Sequence, residues 1–153
     1  MKKLYHIGNA LAPVADVFNG TVYTDIFNMK DQEHVSFIIQ KGAGALGTAT
    51  ITVEACDDVA GTNVAAIPFN YQACVSGDTF GAMTKVTATG FATTAGANQM
   101  YKIEADVDLL GASGFSYIRL KAVEVVNDPI TGGILAVFNE QKFEQEIPGT
   151  TIV

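Results

Sequence analysis

Two-residue alternation dominates the chain. Between residues 48 and 56, Ile51, Val53 and Ala55 alternate with Thr50, Thr52 and Glu54. Residues 67–75 set Ile67, Phe69, Tyr71, Ala73 and Val75 against Pro68, Asn70, Gln72 and Cys74. Tyr101, Ile103, Ala105 and Val107 alternate with Lys102, Glu104 and Asp106. A period of two sends successive side chains to opposite faces of a strand, so each segment predicts a strand with one face buried and one wet. Pro68 has no N–H to give a ladder, which places its end of the strand at a sheet edge. Residues 35–39 and 134–138 are more evenly apolar and predict short buried strands. Residues 117–126 predict the longest strand, with Ile118, Leu120 and Ala122 on one face and Val123 and Val125 on the other.

The punctuation fits an all-β chain. Asn19-Gly20 separates residues 15–18 from 21–24. Both residue types tolerate the positive φ of a two-residue type I′ turn, which predicts a hairpin there. Gly-rich connections recur at residues 42–47, 77–81, 90–96, 111–114 and 132–133. No segment has the pattern of an ordinary helix, and residues 106–111 predict a single turn. The expected fold is a single-domain β-sandwich of about seven to nine strands, immunoglobulin-like or jelly-roll, with short extended termini. The domain is expected over residues 1–140, with 141–153 as an extended C-terminal tail. That tail carries Phe143, Ile147, Ile152 and Val153, apolar residues that a solvated tail gains nothing from. They are the expected interface residues of an arm laid across a neighbour, with a last strand of the chain's own domain as the alternative.

Composition narrows the function. The chain has 153 residues and is 48% apolar but only 16% charged, so Thr, Asn, Gln, Gly and Ala must share its surface. A thinly charged surface suits a protein packed against others. The net charge is −7 and Arg119 is the single arginine, which leaves no basic stripe for nucleic acid. The acidic balance discourages contact with anionic membranes. No stretch approaches the length of an apolar membrane span. Met1-Lys2-Lys3 begins like an export signal, but His6, Gly8, Asn9 and Pro13 break the apolar run, so a cytoplasmic site of assembly is expected. Cys56 and Cys74 are then expected as free thiols, and a register near residue 66 for residue 56 sets them too far apart for a bridge.

Candidate chemistry is sparse. Gly42-Ala43-Gly44-Ala45-Leu46-Gly47 matches G-x-G-x-x-G, but a dinucleotide site needs a helix next and Thr48 to Val53 alternate as a strand, which predicts a hairpin loop. Asp106-Val107-Asp108 starts like an EF-hand loop, but Leu110 and Tyr117 stand where oxygen ligands belong. A looser calcium site shared with Asp57 and Asp58 stays open. His6 and His34 have no ligand spacing to the cysteines. A nucleophilic pair of His34 with Cys56 or Cys74 would need an orienting group and an oxyanion hole that nothing marks. Ser36, Ser76, Ser113 and Ser116 lie in no nucleophile elbow. Asn19-Gly20-Thr21 is a glycosylation sequon that turn chemistry explains. No catalytic, cofactor-binding or metal-binding residue is expected, and the chain reads as a non-enzyme.

The order of several segments resembles a family. Residues 35–42 run into 48–58, followed by Ile67-Pro68-Phe69-Asn70-Tyr71, then residues 101–106 and Tyr117-Ile118-Arg119-Leu120-Lys121. This order is similar to small virion proteins encoded in the head-gene modules of tailed bacteriophages, over residues 20–140. The resemblance implies a β-sandwich that decorates or cements a capsid. Its partners would be the major capsid protein and copies of itself in a homo-oligomer on the particle, with no nucleic acid and no membrane. The alternatives are a tail-tube, head–tail connector or fibre-associated domain, or a carbohydrate- or cell-surface-binding sandwich. The absence of Trp weighs against sugar stacking.

Overall fold

The computed structural model describes residues 5–111 and 114–141. Its elements are β1 (His6–Val14), β2 (Thr21–Tyr23), β3 (Phe27–Asn28), β4 (Gln32–Lys41), β5 (Thr48–Cys56), β6 (Val64–Ile67), β7 (Phe69–Cys74), β8 (Thr84–Val86), β9 (Phe91–Ala92), β10 (Met100–Asp106), α1 (Val107–Gly111), β11 (Tyr117–Val126) and β12 (Gly132–Gln141). The first sheet has the order β1-β12-β4-β10-β7-β8, and the second β2-β11-β5-β6. β3 also pairs with β11, and β9 with β5. All these pairings are antiparallel, so the chain is the all-β sandwich that its alternation predicts.

Alternation decides what enters the core. Val35, Phe37 and Ile39 of β4, Tyr101, Ile103 and Ala105 of β10, and Ile134, Ala136 and Phe138 of β12 point inward from the first sheet. Ile51, Val53, Ala55, Ile118, Leu120 and Ala122 meet them from the second. Phe27 lies between Phe37 and Phe138 with ring centroids 6.1 and 5.2 Å away. A second aromatic group joins Tyr71 and Phe91, stacked at 3.8 Å, to Tyr101.

Several local expectations are corrected. There are twelve strands among the described residues rather than seven to nine. Four of the twelve hold only two or three residues, too few for alternation to register. The 67–75 segment is two strands. Residues up to Ile67 pair with β5 in the second sheet, and Phe69–Cys74 pairs with β10 and β8 in the first. Pro68 stands at the change of sheet, where its missing N–H costs no ladder bond. The register sets Cys56 opposite Val64, two residues from the expected position.

No hairpin forms at Asn19-Gly20. β2 pairs with β11, and Val17 N–H donates to Ile130 O at 2.8 Å. Gly20 has φ 65° but Asn19 does not share the left-handed region, so the type I′ turn is excluded. Buried Val17 and Phe18 draw the chain across the sandwich instead. Residues 42–47 likewise cross from the first sheet to the second. Nine-residue β1 was hidden because its inward positions include Gly8 and Ala10. A Cβ at Gly8 would sit 3.0 Å from the Phe27 ring, so the inward face cannot carry the large apolar residues that mark a strand.

Candidate functional site

The outer face of the first sheet carries the features most unlike an ordinary wet strand surface. Strands β4 and β12 look evenly apolar because their outward positions include Ile38, Leu135 and Val137. These are not buried by the chain: Leu135 is 42% exposed, and Ile7, opposite Val137 on β1, is 63% exposed. The expectation of strands buried on both faces therefore fails here, and the surplus apolar residues form a surface.

At one end this surface deepens into a groove of about 670 Å³, lined by residues that include Leu11, Pro13, Ile38, Met100, Gly133 and Leu135. Two features make the hollow. Gly132 and Gly133 put no side chain on the start of β12. The β1–β12 register shifts between Asn9 and Leu11 and again between Leu11 and Val14, so β1 bends out of the ladder. Polar groups at the rim are neutral: Asn9, Gln40, Asn98 and Thr131.

Lys41 belongs to the groove lining only through its backbone end. The alternation that sends Val35, Phe37 and Ile39 inward sends Lys41 inward too, and it is 1% exposed. Its Nζ donates to Thr94 O at 2.7 Å, Gln99 Oε1 at 3.0 Å and Gly47 O at 3.3 Å. Tyr101 Oη donates to the same Gln99 oxygen at 3.0 Å. No carboxylate is among these partners, and desolvation lowers the lysine pKa.

The opposite end of the face is polar. His34 Nδ1 lies 2.6 Å from Asp106 Oδ1, and Ser36 Oγ lies 3.3 Å from His34 Nε2. The contact order is that of a Ser–His–Asp relay. Acyl transfer also needs free N–H donors for the oxyanion. β4 is a central strand, with Ser36 opposite Glu104 on one side and Val137 on the other, so its main-chain N–H groups are spent on the two ladders. The cluster ties β4 to β10 at the surface. Gln32 Oε1 and Asn139 Oδ1, near it across the β4–β12 ladder, have no hydrogen-bond partner among the described residues.

No family model matches the sequence, and no curated protein is similar to it. The fold has a solved counterpart. The crystal structure of the SPBc2 prophage-derived protein YomS superposes with a TM-score of 0.51 at 11% identity, covering 92% of this chain and 96% of that one. At that identity the likeness shows a shared fold.

Phe143, Ile147, Ile152 and Val153 lie outside the described residues. The other motifs of the sequence fall apart in space. The 42–47 loop leads into strand β5, and its groups are tied down: Gly42 N–H donates to Thr131 O at 2.6 Å and Leu46 N–H to Asp128 Oδ2 at 3.0 Å. Asp57 and Asp58 follow β5 of the second sheet and accept hydrogen bonds from their own loop, at Asn63 and Thr62. Asp106 ends β10 in the first sheet. No group of three or more His, Cys, Asp or Glu is placed to hold a metal among the described residues. Cys56 is buried, and desolvation pushes its thiol up to about 11, the reverse of an activated nucleophile. Cys74 lies beside Met100, six residues along β10 from the Asp106 that faces His34, about 20 Å away. The groove and the relay were both missed. The i, i+2 spacing of His34 and Ser36 gave their shared face, but the β10 register that adds Asp106 is not written in either strand.

Proposed function

We propose that the chain is a structural virion protein of a tailed bacteriophage, assembled in the host cytoplasm. In this reading it decorates or cements the capsid by non-covalent contact with the major capsid protein and with copies of itself. The observation that carries it is the near end-to-end superposition on a prophage-derived protein. The apolar outer face of the first sheet supports it, since exposed apolar surface marks places where other chains bind. The mechanism is binding energy alone, with no reaction catalysed. Each apolar side chain covered at a contact contributes about 1.5–3 kcal/mol if fully buried. Modest contacts suffice when a lattice offers many equivalent sites and neighbouring copies also touch.

Cryo-electron microscopy of purified particles tests the proposal. The expected result is density for the sandwich over the capsid lattice, and weaker heat resistance in particles that lack the chain. Density on the tail would replace this reading with a tail-tube, connector or fibre role. Absence from purified particles would overturn it.

A further inference from the structure

We propose that Asn19-Gly20 is a self-modification site, which closes to a succinimide and opens to aspartate or isoaspartate, and that Glu124 holds it in check.

Asn19-Gly20 is the single Asn-Gly pair of the chain. The hairpin that its composition predicts does not form, so the pair is left with its chemistry. The Gly20 main-chain nitrogen gives its proton to solvent and attacks Asn19 Cγ. The N–Cγ bond forms, the Cγ–Nδ2 bond breaks, and the amide nitrogen takes a proton from solvent and leaves as ammonia. Water then adds to one of the two ring carbonyls. Addition at Cγ breaks the new N–Cγ bond and gives aspartate. Addition at the Asn19 main-chain carbon breaks the original peptide bond and gives isoaspartate. One water is consumed and one ammonia released, with no other reactant.

Crowding does not protect the nucleophile. Asn19 and Gly20 are both exposed, and a Cβ at Gly20 would meet nothing within 4 Å. What occupies the nitrogen is one hydrogen bond: Gly20 N–H donates to Glu124 Oε2 at 3.0 Å. Ring closure must break that bond, and it must build up negative charge on nitrogen beside a carboxylate, which opposes it. The main chain of Glu124 grips the other side of Gly20, its N–H donating to Gly20 O at 2.7 Å. Buried Val17 and Phe18 fix the chain before the pair, and the β2–β11 ladder begins straight after it, with Thr21 opposite Val123. The peptide plane between Asn19 and Gly20 is therefore held against the turn that ring closure needs. Escape from this hold has a cost for the fold. Either product adds a carboxylate to a chain of net charge −7, and isoaspartate lengthens the main chain by one atom between buried Phe18 and three-residue β2.

Ageing of the full-length protein at mildly alkaline pH tests this, with peptide mapping that separates asparagine, aspartate and isoaspartate at residue 19. The folded chain should convert at least about tenfold more slowly than the same chain in guanidinium chloride, the rate equivalent of about one charge-assisted hydrogen bond. Glu124→Ala should recover most of that difference while the chain stays folded by circular dichroism. Glu124→Gln keeps an acceptor oxygen and should stay nearer the parent rate. Glu54→Ala, which weakens the second sheet away from this contact, should leave the folded rate at residue 19 unchanged. Equal rates in the parent and Glu124→Ala would overturn the proposal. A slower Glu124→Ala would do so too, since the carboxylate would then be the base that removes the proton. Equal acceleration by Glu54→Ala and Glu124→Ala would assign the conversion to unfolded chains and leave Glu124 without the role.

Discussion

The outer faces of the two sheets differ in who completes them. On the second sheet the chain does so itself at the Glu54 end, while Val123 and Val125 stay exposed further along β11. Glu54 is 7% exposed, and Arg119 reaches its Oε2 with Nε and Nη2, each at 2.7 Å. Lys121 Nζ lies 3.4 Å from the other oxygen, and the Arg119 guanidinium lies 4.2 Å from the Tyr23 ring centre. The 57–63 loop folds over this group, bringing Gly61 against Arg119. On the first sheet the apolar outer face stays open, with Ile7 and Leu135 exposed. A charged group is satisfied by a few atoms at short range, which one loop can bring. An apolar face needs area, and the described chain has no segment left to cover it.

The largest effect should come from breaking the closed face. Glu54→Ala leaves Arg119, 13% exposed, without its carboxylate. Removing one partner of a buried pair costs about 3–5 kcal/mol, and the contact with Tyr23 sets the low end, near 3. Urea unfolding measures it. A loss below about 1 kcal/mol would mean that the pair is solvated and the face less closed than its geometry.

Lys41 gives the contrast at equal burial. It has only neutral partners, and Gln99 Oε1 keeps its bond from Tyr101 when the ammonium is removed. Lys41→Met also relieves the desolvation of a charge, so the change at pH 7 should stay within about 1 kcal/mol. The pH dependence is the sharper readout. Desolvation lowers the folded pKa below 10.5, so in the window beneath 10.5 the unfolded chain holds a proton that the folded chain has released. Stability from this group therefore rises with pH through that window. Lys41→Met should flatten the rise, and an unchanged slope would show that the ammonium is not desolvated.

How much of this was legible can be seen residue by residue. The sandwich was, because Ile51/Val53/Ala55 and Tyr101/Ile103/Ala105 alternate with polar residues and do face the core. The connections were not. Asn19-Gly20 has hairpin chemistry, yet the burial of Val17 and Phe18 outweighs it. Pro68 was legible as an edge signal but not as a change of sheet, since alternation runs on in phase from Ile67 to Phe69. The apolar outer face was present in the sequence as the surplus apolar positions Ile38, Leu135 and Val137. Apolarity alone cannot say whether such positions are covered by the same chain or left for another.

The loop over the closed face makes a weaker, acid-dependent contribution. Hydrogen bonds from the Asn63 side chain and backbone hold Asp57 below its ordinary 3.8, and those from Thr62 do the same for Asp58. Their folded pKa values are depressed, so this stabilisation is present above 3.8 and is lost as pH falls through the lowered folded values. Replacing both by Asn should reduce the loss of stability in that acid range while changing little at pH 7. An identical acid limb in the variant would assign the loss to other carboxylates.

The smallest effect on the isolated chain should come from the open face, and there the two faces separate most clearly. Leu135→Asp puts a carboxylate on the groove floor at a position 42% exposed, where water can reach it. Its backbone stays paired between β1 and β4, opposite Asn9 and Ile38. A surface substitution of this kind shifts stability by no more than about 0.5 kcal/mol. If other copies of the chain pack on this open face, as the assembly reading has it, the same substitution sets a desolvated charge in the contact. Self-association, followed by sedimentation over a concentration series, should then fall at least about tenfold, which corresponds to about 1.4 kcal/mol. A change that unfolds the chain would place Leu135 among the core residues and close the face. A variant that folds and associates as the parent does would leave the groove open without a role in assembly.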